Sequence, residues 1–295
     1  MRSVTLPAYA KLNLHLQVLG KRPDGYHELL TLFERVTLAD ELCVEETGGA
    51  DLELQCESEE VPHDGTNLAI RAAELFREAS GWRSGLRIRL TKRIPVGGGL
   101  GGGSSDAAAV LLALQELSGG VLKPDALLGC ARQLGADVSF FAARASRALG
   151  RARGDEIEPV PAPGPLWYLL VTPGFSVPTQ QVYQALGSPS TGLRAGLTPP
   201  APDVMLLLRA LDERSPSQVR EFLFNALEPT VEALYPELRD VKDVMRKTGG
   251  LLSPCISGSG STVFAVCDSE AQARSAGERI RRERPGWRLT VARTI

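Results

Sequence analysis

Ile94-Pro95-Val96-Gly97-Gly98-Gly99-Leu100-Gly101-Gly102-Gly103-Ser104-Ser105 is the segment that organises the rest of the chain. Ahead of it Leu86, Ile88 and Leu90 alternate with Arg87, Arg89 and Thr91, the period of two that predicts a strand over Leu86–Ile94. Behind it an Ala- and Leu-rich stretch predicts a helix from about Ser105 to Leu117. Glycines between a strand and a helix let backbone N–H groups wrap an anion, because without Cβ atoms the chain approaches closely and takes conformations other residues avoid. The helix that follows aims its free amides and positive dipole end at the same spot. Ser104 and Ser105 add hydroxyls for a phosphate or a Mg²⁺-bound oxygen, and Ala107, Ala108 and Ala109 keep the first turn slim. Two other readings stand beside this one. Gly97-x-Gly99-x-x-Gly102 satisfies the dinucleotide fingerprint by letter, although this loop follows several antiparallel-looking strands rather than opening a βαβ unit. A flexible linker is the other, although linkers are not normally bracketed by an alternating strand and a capped helix. No Lys-Ser or Lys-Thr pair closes the run, so the P-loop motif is absent and the cation must come from elsewhere.

Composition narrows the company such a loop keeps. With 295 residues, 43% hydrophobic and 23% charged, the chain suits one large domain or two ordinary ones with a proper core. Lys+Arg total 33 against 35 Asp+Glu, a formal net charge of −2. That balance leaves no electrostatic footprint for nucleic acid or anionic lipid. Cys43, Cys56, Cys130, Cys255 and Cys267 are odd in number and lack CxxC spacing, which predicts reduced thiols rather than a disulfide framework or a zinc ribbon. MRSVTLPAYAK reaches a lysine before an apolar h-region forms, and Ala107–Leu114 is far short of a bilayer span. The expectation is a cytoplasmic protein, monomer or weak homodimer, with no nucleic-acid or membrane partner.

Along the chain, Leu12, Leu14, Leu16 and Val18 alternate with Lys11, Asn13, His15 and Gln17, predicting a strand over Lys11–Gly20. Arg22-Pro23-Asp24-Gly25 reads as a turn. Strands follow at Leu29–Leu38, Leu42–Glu45 and Asp51–Cys56. A helix begins after Asn67, a good N-cap, and ends before Gly81; another runs from Pro124 to Gly135. The EIEPVPAPGP stretch marks a boundary between lobes, placed as residues 1–155 and 156–295. Beyond it come a strand at Leu166–Val171, a Pro/Gly-rich loop near Ser188–Pro202, several helices between Asp203 and Thr248, and a strand-helix-strand finish. The basic run Arg279–Arg284 reads as a solvated helix face.

Three further sites stay open on pattern alone. Lys11 and Asn13 share a strand face, which serves equally as the polar face of an antiparallel sheet. Asp137, in Gly135-Ala136-Asp137-Val138, suits a helix cap or a functional carboxylate. Ser257-Gly258-Ser259-Gly260-Ser261-Thr262 is either a plain turn or a second backbone surface closing over phosphates. No HExxH, metal-spaced histidine cluster or GxSxG elbow supports a hydrolase or zinc reading.

Ala10-Lys11-Leu12-Asn13-Leu14, Pro95 to Ser105 and Ser257 to Thr262 resemble, in that order, the three motifs of the GHMP kinases. AKLNLHLQVLGKRPDGYHEL, PVGGGLGGGSSDAAAVL and LGADVSFF resemble the branch acting on 4-diphosphocytidyl-2-C-methyl-D-erythritol in non-mevalonate isoprenoid synthesis. The resemblance covers most of the chain and thins between about 185 and 220. It implies an α/β (α+β), two-lobed fold of mixed sheets and helices with the active site in the inter-lobe cleft. It implies an ATP- and Mg²⁺-dependent kinase that phosphorylates the 2-hydroxyl of a substrate carrying cytidine diphosphate. Carried over by position, Lys11 and Asp137 are the catalytic pair. Pro95, Val96, Gly97, Gly98, Gly99, Leu100, Gly101, Gly102, Gly103, Ser104 and Ser105 form the ATP phosphate loop. Tyr26 and His27 receive the cytosine with Tyr183 as the second aromatic, and Asn13 and Thr179 hold polar groups of the sugar or diphosphate. Ser139 departs from the family, which usually has proline there. Kinases of homoserine or mevalonate are the nearest rivals, and Tyr26-His27 speaks against them because those alcohols carry no base. An inactive nucleotide sensor and a decarboxylase on the same fold fit less well, the first because Lys11 and Asp137 are both retained.

Overall fold

Alternation over the first fifty residues produces a long antiparallel hairpin, β1 (Ser3–Lys21) and β2 (His27–Thr47), in register from Ser3↔Glu45 to Lys21↔His27. The Arg22–Gly25 turn closes it, with Gly25 in the left-handed region at φ 87° and its amide donating to the Arg22 carbonyl at 3.1 Å. The computed structural model describes residues 2–162, 164–186, 201–251 and 253–295. The first half continues with β3 (Leu52–Cys56), α1 (Leu68–Ser80), β4 (Gly85–Thr91), α2 (Gly102–Leu117), α3 (Pro124–Leu134), α4 (Ala136–Ala142), β5 (Arg147–Arg151) and β6 (Glu156–Pro159). The second half holds β7 (Trp167–Thr172), α5 (Thr179–Ala185), α6 (Val204–Asp212), α7 (Pro216–Phe222), β8 (Phe224–Asn225), α8 (Glu228–Leu234) and α9 (Glu237–Lys247). It ends with β9 (Cys255–Ile256), β10 (Val263–Cys267), α10 (Glu270–Glu283) and β11 (Arg288–Arg293). The loop expected near Ser188–Pro202 lies almost wholly outside the described residues.

Two sheets result. A 7-stranded sheet runs β3-β4-β2-β1-β8, with β5 joined to β2 and β6 to β5. The second runs β11-β7-β10-β9, all antiparallel. Strand β2 is one element where the sequence predicts two: its first part pairs β5 at Thr31–Glu34, its second pairs β4 at Glu41–Thr47. Asp40, between the two expected strands, stays in the strand with its side chain buried and accepting from the amides of Arg93 and Ile94.

Helices α1 to α4 pack on the outer half of the large sheet through Phe76, Leu86, Ile88, Val110, Leu114 and Phe140. Helix α1 has the expected ends: Asn67 accepts from the Ala69 amide at 2.8 Å, and Gly81 stops it in the left-handed region. A second core fills the space between the sheets, where Leu12, Leu14 and Leu32 meet Tyr168, Leu170 and Phe264. One buried polar cluster crosses that core. Arg147 donates to Glu34 at 2.5 and 3.2 Å, and the Tyr168 hydroxyl (3.3 Å) and Thr294 hydroxyl donate to the same carboxylate. Strands of both sheets are thereby keyed to one carboxylate. Among the described residues, no helix is long and apolar enough to cross a membrane.

Candidate active site

A cleft of about 1280 Å³ lies where the β1–β2 hairpin meets the glycine loop, the start of α4, α5 and the Ser257–Thr262 loop. Strand, glycine loop and helix follow one another as the sequence predicts, but α2 begins at Gly102, a turn earlier than Ser105. Gly102 and Gly103 are poor helix formers, each costing roughly 1 kcal/mol against alanine. Packing overrides that at Gly102, where a Cβ would meet Ile94 Cγ2 at 3.0 Å. The N-cap is Gly101, with no side-chain cap, so the first-turn amides have no partner within the helix. Pro95 to Ser104 line the cleft, whereas Ser105 is buried and does not. One residue beyond Ser104 and so about 100° further round the helix, Ser105 faces the interior rather than the cleft.

The loop owes its shape to the disposition of its carbonyls. Gly97 O accepts from the Val177 amide (3.2 Å), Gly98 O from the Thr262 amide (3.1 Å), and Gly99 O from the Ser257 hydroxyl (3.0 Å). Leu100 O accepts from the Lys11 amide at 3.0 Å. In a trans peptide the C=O and the next N–H point in opposite directions. Tying the Gly98, Gly99 and Leu100 carbonyls to other segments thus leaves the amides of Gly99, Leu100 and Gly101 as the free polar edge of the loop, while the Gly98 amide turns back to Pro95 O at 3.4 Å. The glycines also have a second purpose the sequence did not reveal. A Cβ on Gly99, at φ 74°, would lie 2.1 Å from Ser257 O, and one on Gly97 would lie 2.4 Å from Ser176 Cβ. The Ser257–Thr262 loop is therefore a packed wall against the first loop, not a plain turn.

Lys11, Asn13 and His15 do not form a solvated face: they are 4%, 2% and 0% exposed. Strand β1 runs between the two sheets' cores, so its polar side is covered by the loops of the cleft. Lys11 Nζ donates to Asn13 Oδ1 at 2.5 Å and lies 3.5 Å from Asp137 Oδ2. Asn13 Nδ2 donates to Thr31 Oγ1 (2.8 Å), which donates to His15 O (2.8 Å). Asn13 is thereby fixed with its carbonyl oxygen turned to the ammonium. Asp137 occupies the first turn of α4, half exposed to the cleft beside buried Lys11. An ammonium, a carboxylate and a row of free amides so converge on one point.

Beneath the loop is a charged cluster with no signature in the residue pattern. Lys92 Nζ donates to Asp106 Oδ2 at 2.7 Å and to Asp40 Oδ2, and Asp40 Oδ1 accepts from the amides of Arg93 and Ile94. Burial works against the Lys92 charge, but the two carboxylates more than offset it and hold the ammonium above its usual range. Burial raises the Asp106 carboxyl, with Asp40 adding to the rise and Lys92 opposing it. Asp106 Oδ1 is buried without a hydrogen-bond partner, and Asp106 and Lys92 both line the cleft.

The other end of the cleft is aromatic. Tyr26, His27, Thr179 and Tyr183 all line it, as does Asn13. The ring facing Tyr183 is His27, centroids 5.3 Å apart and tilted 33°. Tyr26 is 57% exposed with the Arg153 guanidinium 5.1 Å from its ring. Tyr26 sits in the bend before β2 and turns to Arg153, leaving His27, the first residue of the strand, to face Tyr183. Burial, and to a lesser degree Lys21, lowers the His27 imidazole; burial and then Asp137 raise the Tyr183 hydroxyl. Thr179 shares a 2.8 Å hydrogen bond with Ser259, linking the aromatic end to the second loop. Ser139, at the position of the family's proline, leaves its hydroxyl buried and without a partner.

This architecture has known relatives. Residues 67–144 match the model for the GHMP kinases N terminal domain, and residues 207–285 match that for the GHMP kinases C terminal. The chain is 41% identical over 280 residues, 95% of its length and 94% of the relative's, to a 4-diphosphocytidyl-2-C-methyl-D-erythritol kinase of Pelotomaculum thermopropionicum. It is 40% identical, over 100% of both chains, to the protein of that name from Geobacter sp. strain M21. A crystal structure of 4-(cytidine 5'-diphospho)-2C-methyl-D-erythritol kinase superposes with a TM-score of 0.81 at 40% identity, covering 98% of each chain. A homoserine kinase from Cytophaga hutchinsonii, 20% identical with a TM-score of 0.73 over 100% of this chain and 95% of its own, shares the fold. The chain is a small-molecule kinase of the GHMP superfamily and belongs to the family of the 4-diphosphocytidyl-2-C-methyl-D-erythritol kinases.

Proposed function

We propose that this chain transfers the γ-phosphoryl group of ATP to the 2-hydroxyl of 4-diphosphocytidyl-2-C-methyl-D-erythritol, releasing ADP. The observation that carries the reading is the Lys11–Asp137 pair, 3.5 Å apart where the amide-lined loop meets the aromatic end of the cleft. In this reading residues 1–155 form most of the lobe carrying the phosphate loop and residues 156–295 most of the facing lobe, with β6 and β8 crossing back to the large sheet. Asp137 accepts the proton of the attacking hydroxyl. Lys11, held by Asn13, stabilises charge on the alkoxide and on the moving phosphoryl group. Positioning and charge stabilisation of this kind supply most of the catalysis in phosphoryl transfer. Tyr26, His27 and Tyr183 hold the cytosine, with Asn13 and Thr179 on the polar parts of the substrate.

Mg²⁺ fits this cleft. Asp106 Oδ1 is a buried carboxylate oxygen without a partner, and Ser104 lines the same space. Mg²⁺ ordinarily combines one or two protein carboxylates with substrate phosphates and water. Asp106 and Ser104 would hold it, and once bound it would neutralise charge developing on the phosphoryl oxygens. The test is a substrate panel on the purified protein. ADP release with the cytidyl substrate is expected to be far faster than with homoserine or mevalonate; equal rates would refute the assignment.

A further inference from the structure

The second loop is held in place by a side chain that does not itself line the cleft. Asn225 is 5% exposed in the two-residue strand β8, which runs parallel to β1 at His15↔Phe224 and Leu16↔Asn225. Its Nδ2 donates to Ile256 O at 2.8 Å and Gly258 O at 2.7 Å, while its Oδ1 accepts from the Leu227 amide at 2.9 Å. Every polar atom of the side chain is therefore engaged, and the Leu227 bond fixes which end of the amide faces the loop. Glu228 supports the same segment, accepting from the Ile256 amide at 2.6 Å while bound to Lys242 at 2.8 Å.

The peptide that follows Gly258 is where this matters. A Cβ on Gly258 would lie 3.2 Å from Lys11 Nζ and 3.2 Å from Asn13 Oδ1, so this backbone borders the reacting point directly. Because C=O and the next N–H point in opposite directions, a Gly258 carbonyl drawn back to Asn225 turns the Ser259 amide away from it. Gly258 and Ser259 both line the cleft. We propose that Asn225 is a positioning residue for phosphoryl transfer: by holding the Gly258 carbonyl it directs the Ser259 amide at the nucleotide's phosphates, opposite the amides of the first loop. The inference rests on the reading of the cleft as the ATP site. Without that anchor the 258–259 peptide is free to rotate, and a donor aimed at the phosphates is replaced by an acceptor that repels them.

The experiment measures kcat, and the affinities for ATP, ADP and AMP by calorimetry with Mg²⁺ present, in the full-length protein and in Asn225→Asp and Asn225→Ser. Asn225→Asp keeps the shape and removes the amide donors; Asn225→Ser removes bulk but keeps a hydroxyl. Loss of a preorganised amide donor lowers kcat by about 10²-fold, and that loss is expected in Asn225→Asp, with partial retention in Asn225→Ser. The affinity defect should grow from AMP to ADP to ATP. An equal defect for all three nucleotides, or an unchanged kcat, overturns the proposal, as does failure of both variants to fold, which would assign Asn225 to the fold alone. If the unsubstituted protein does not prefer ATP to AMP, the ATP reading itself falls, and the proposal with it.

Discussion

Two glycines in the same run respond to alanine in opposite directions. Gly99 has φ 74°, and its added Cβ would meet Ser257 O at 2.1 Å and Gly260 O at 2.8 Å. Non-bonded heavy atoms settle at about 3.5 Å or more, so something must move. Neither side yields easily, because the Gly98 and Gly99 carbonyls are pinned to Thr262 and Ser257. Left-handed backbone costs an L-residue roughly 1–2 kcal/mol, and each net hydrogen bond given up adds about 0.5–1.5 kcal/mol. Gly99→Ala is therefore expected to destabilise by about 2–5 kcal/mol and to open the two loops. Gly103 lies inside α2, and the nearest atom to its added Cβ is Leu68 Cδ1 at 3.9 Å. Gly103→Ala should instead gain about 0.5–1 kcal/mol of helix propensity, or roughly 2–4 °C in Tm for each kcal/mol. Thermal unfolding of the two variants against the parent protein decides the matter. Shifts of the same sign and similar size would show that the run is a uniform flexible cradle and refute the packed-wall account.

Asp137→Asn should lower kcat by about 10²–10⁴-fold, the usual contribution of a general base, with nucleotide affinity near normal; an active variant would remove the base assignment. Tyr26→Ala should raise KM for the cytidyl substrate by about tenfold, since a stacked base is worth roughly 1–3 kcal/mol; an unchanged KM would assign the base to the His27–Tyr183 pair alone. His15 is fully buried, and burial, opposed in part by Gln17 and Asp203, lowers its pKa from 6.5 to about 4. The unfolded chain takes up this proton near pH 6.5 and the folded one only near 4. The stability at stake is complete above pH 6.5 and is lost as pH falls between those values, by about 3 kcal/mol at most. His15→Phe should flatten the fall of Tm over that window, and a slope identical to the parent's would count against it.

What could be read from sequence was local. Helices α1 and α3 have their stops written beside them, Asn67 with Gly81 and Pro124 with Gly135, because caps act within a turn of the residue that makes them. The glycine loop was visible through spacing, Lys11 and Asp137 through resemblance, and the structure brings them together in one cleft. The cluster of Asp40, Lys92 and Asp106 was not, since its members come from β2, the loop entrance and α2 and share no period. For the same reason the burial of Lys11, Asn13 and His15 was hidden: alternation tells which residues share a face, not what covers that face. The early start of α2 shows tertiary packing prevailing over the low helix propensity of Gly102 and Gly103.

The anchoring of the first loop's carbonyls has a consequence for how the protein is made. Their partners are Lys11, Val177, Ser257 and Thr262, so the loop's shape is specified by residues spread over most of the chain. A nascent chain emerges from its N-terminus and gains long-range contacts only when both partners are available. A ribosome that has released residues up to α4 has already exposed the complete glycine run, yet none of the restraints from beyond that point exist. Competence to hold nucleotide thus waits until the Ser257–Thr262 segment has been made and has docked, long after the glycine run itself has emerged.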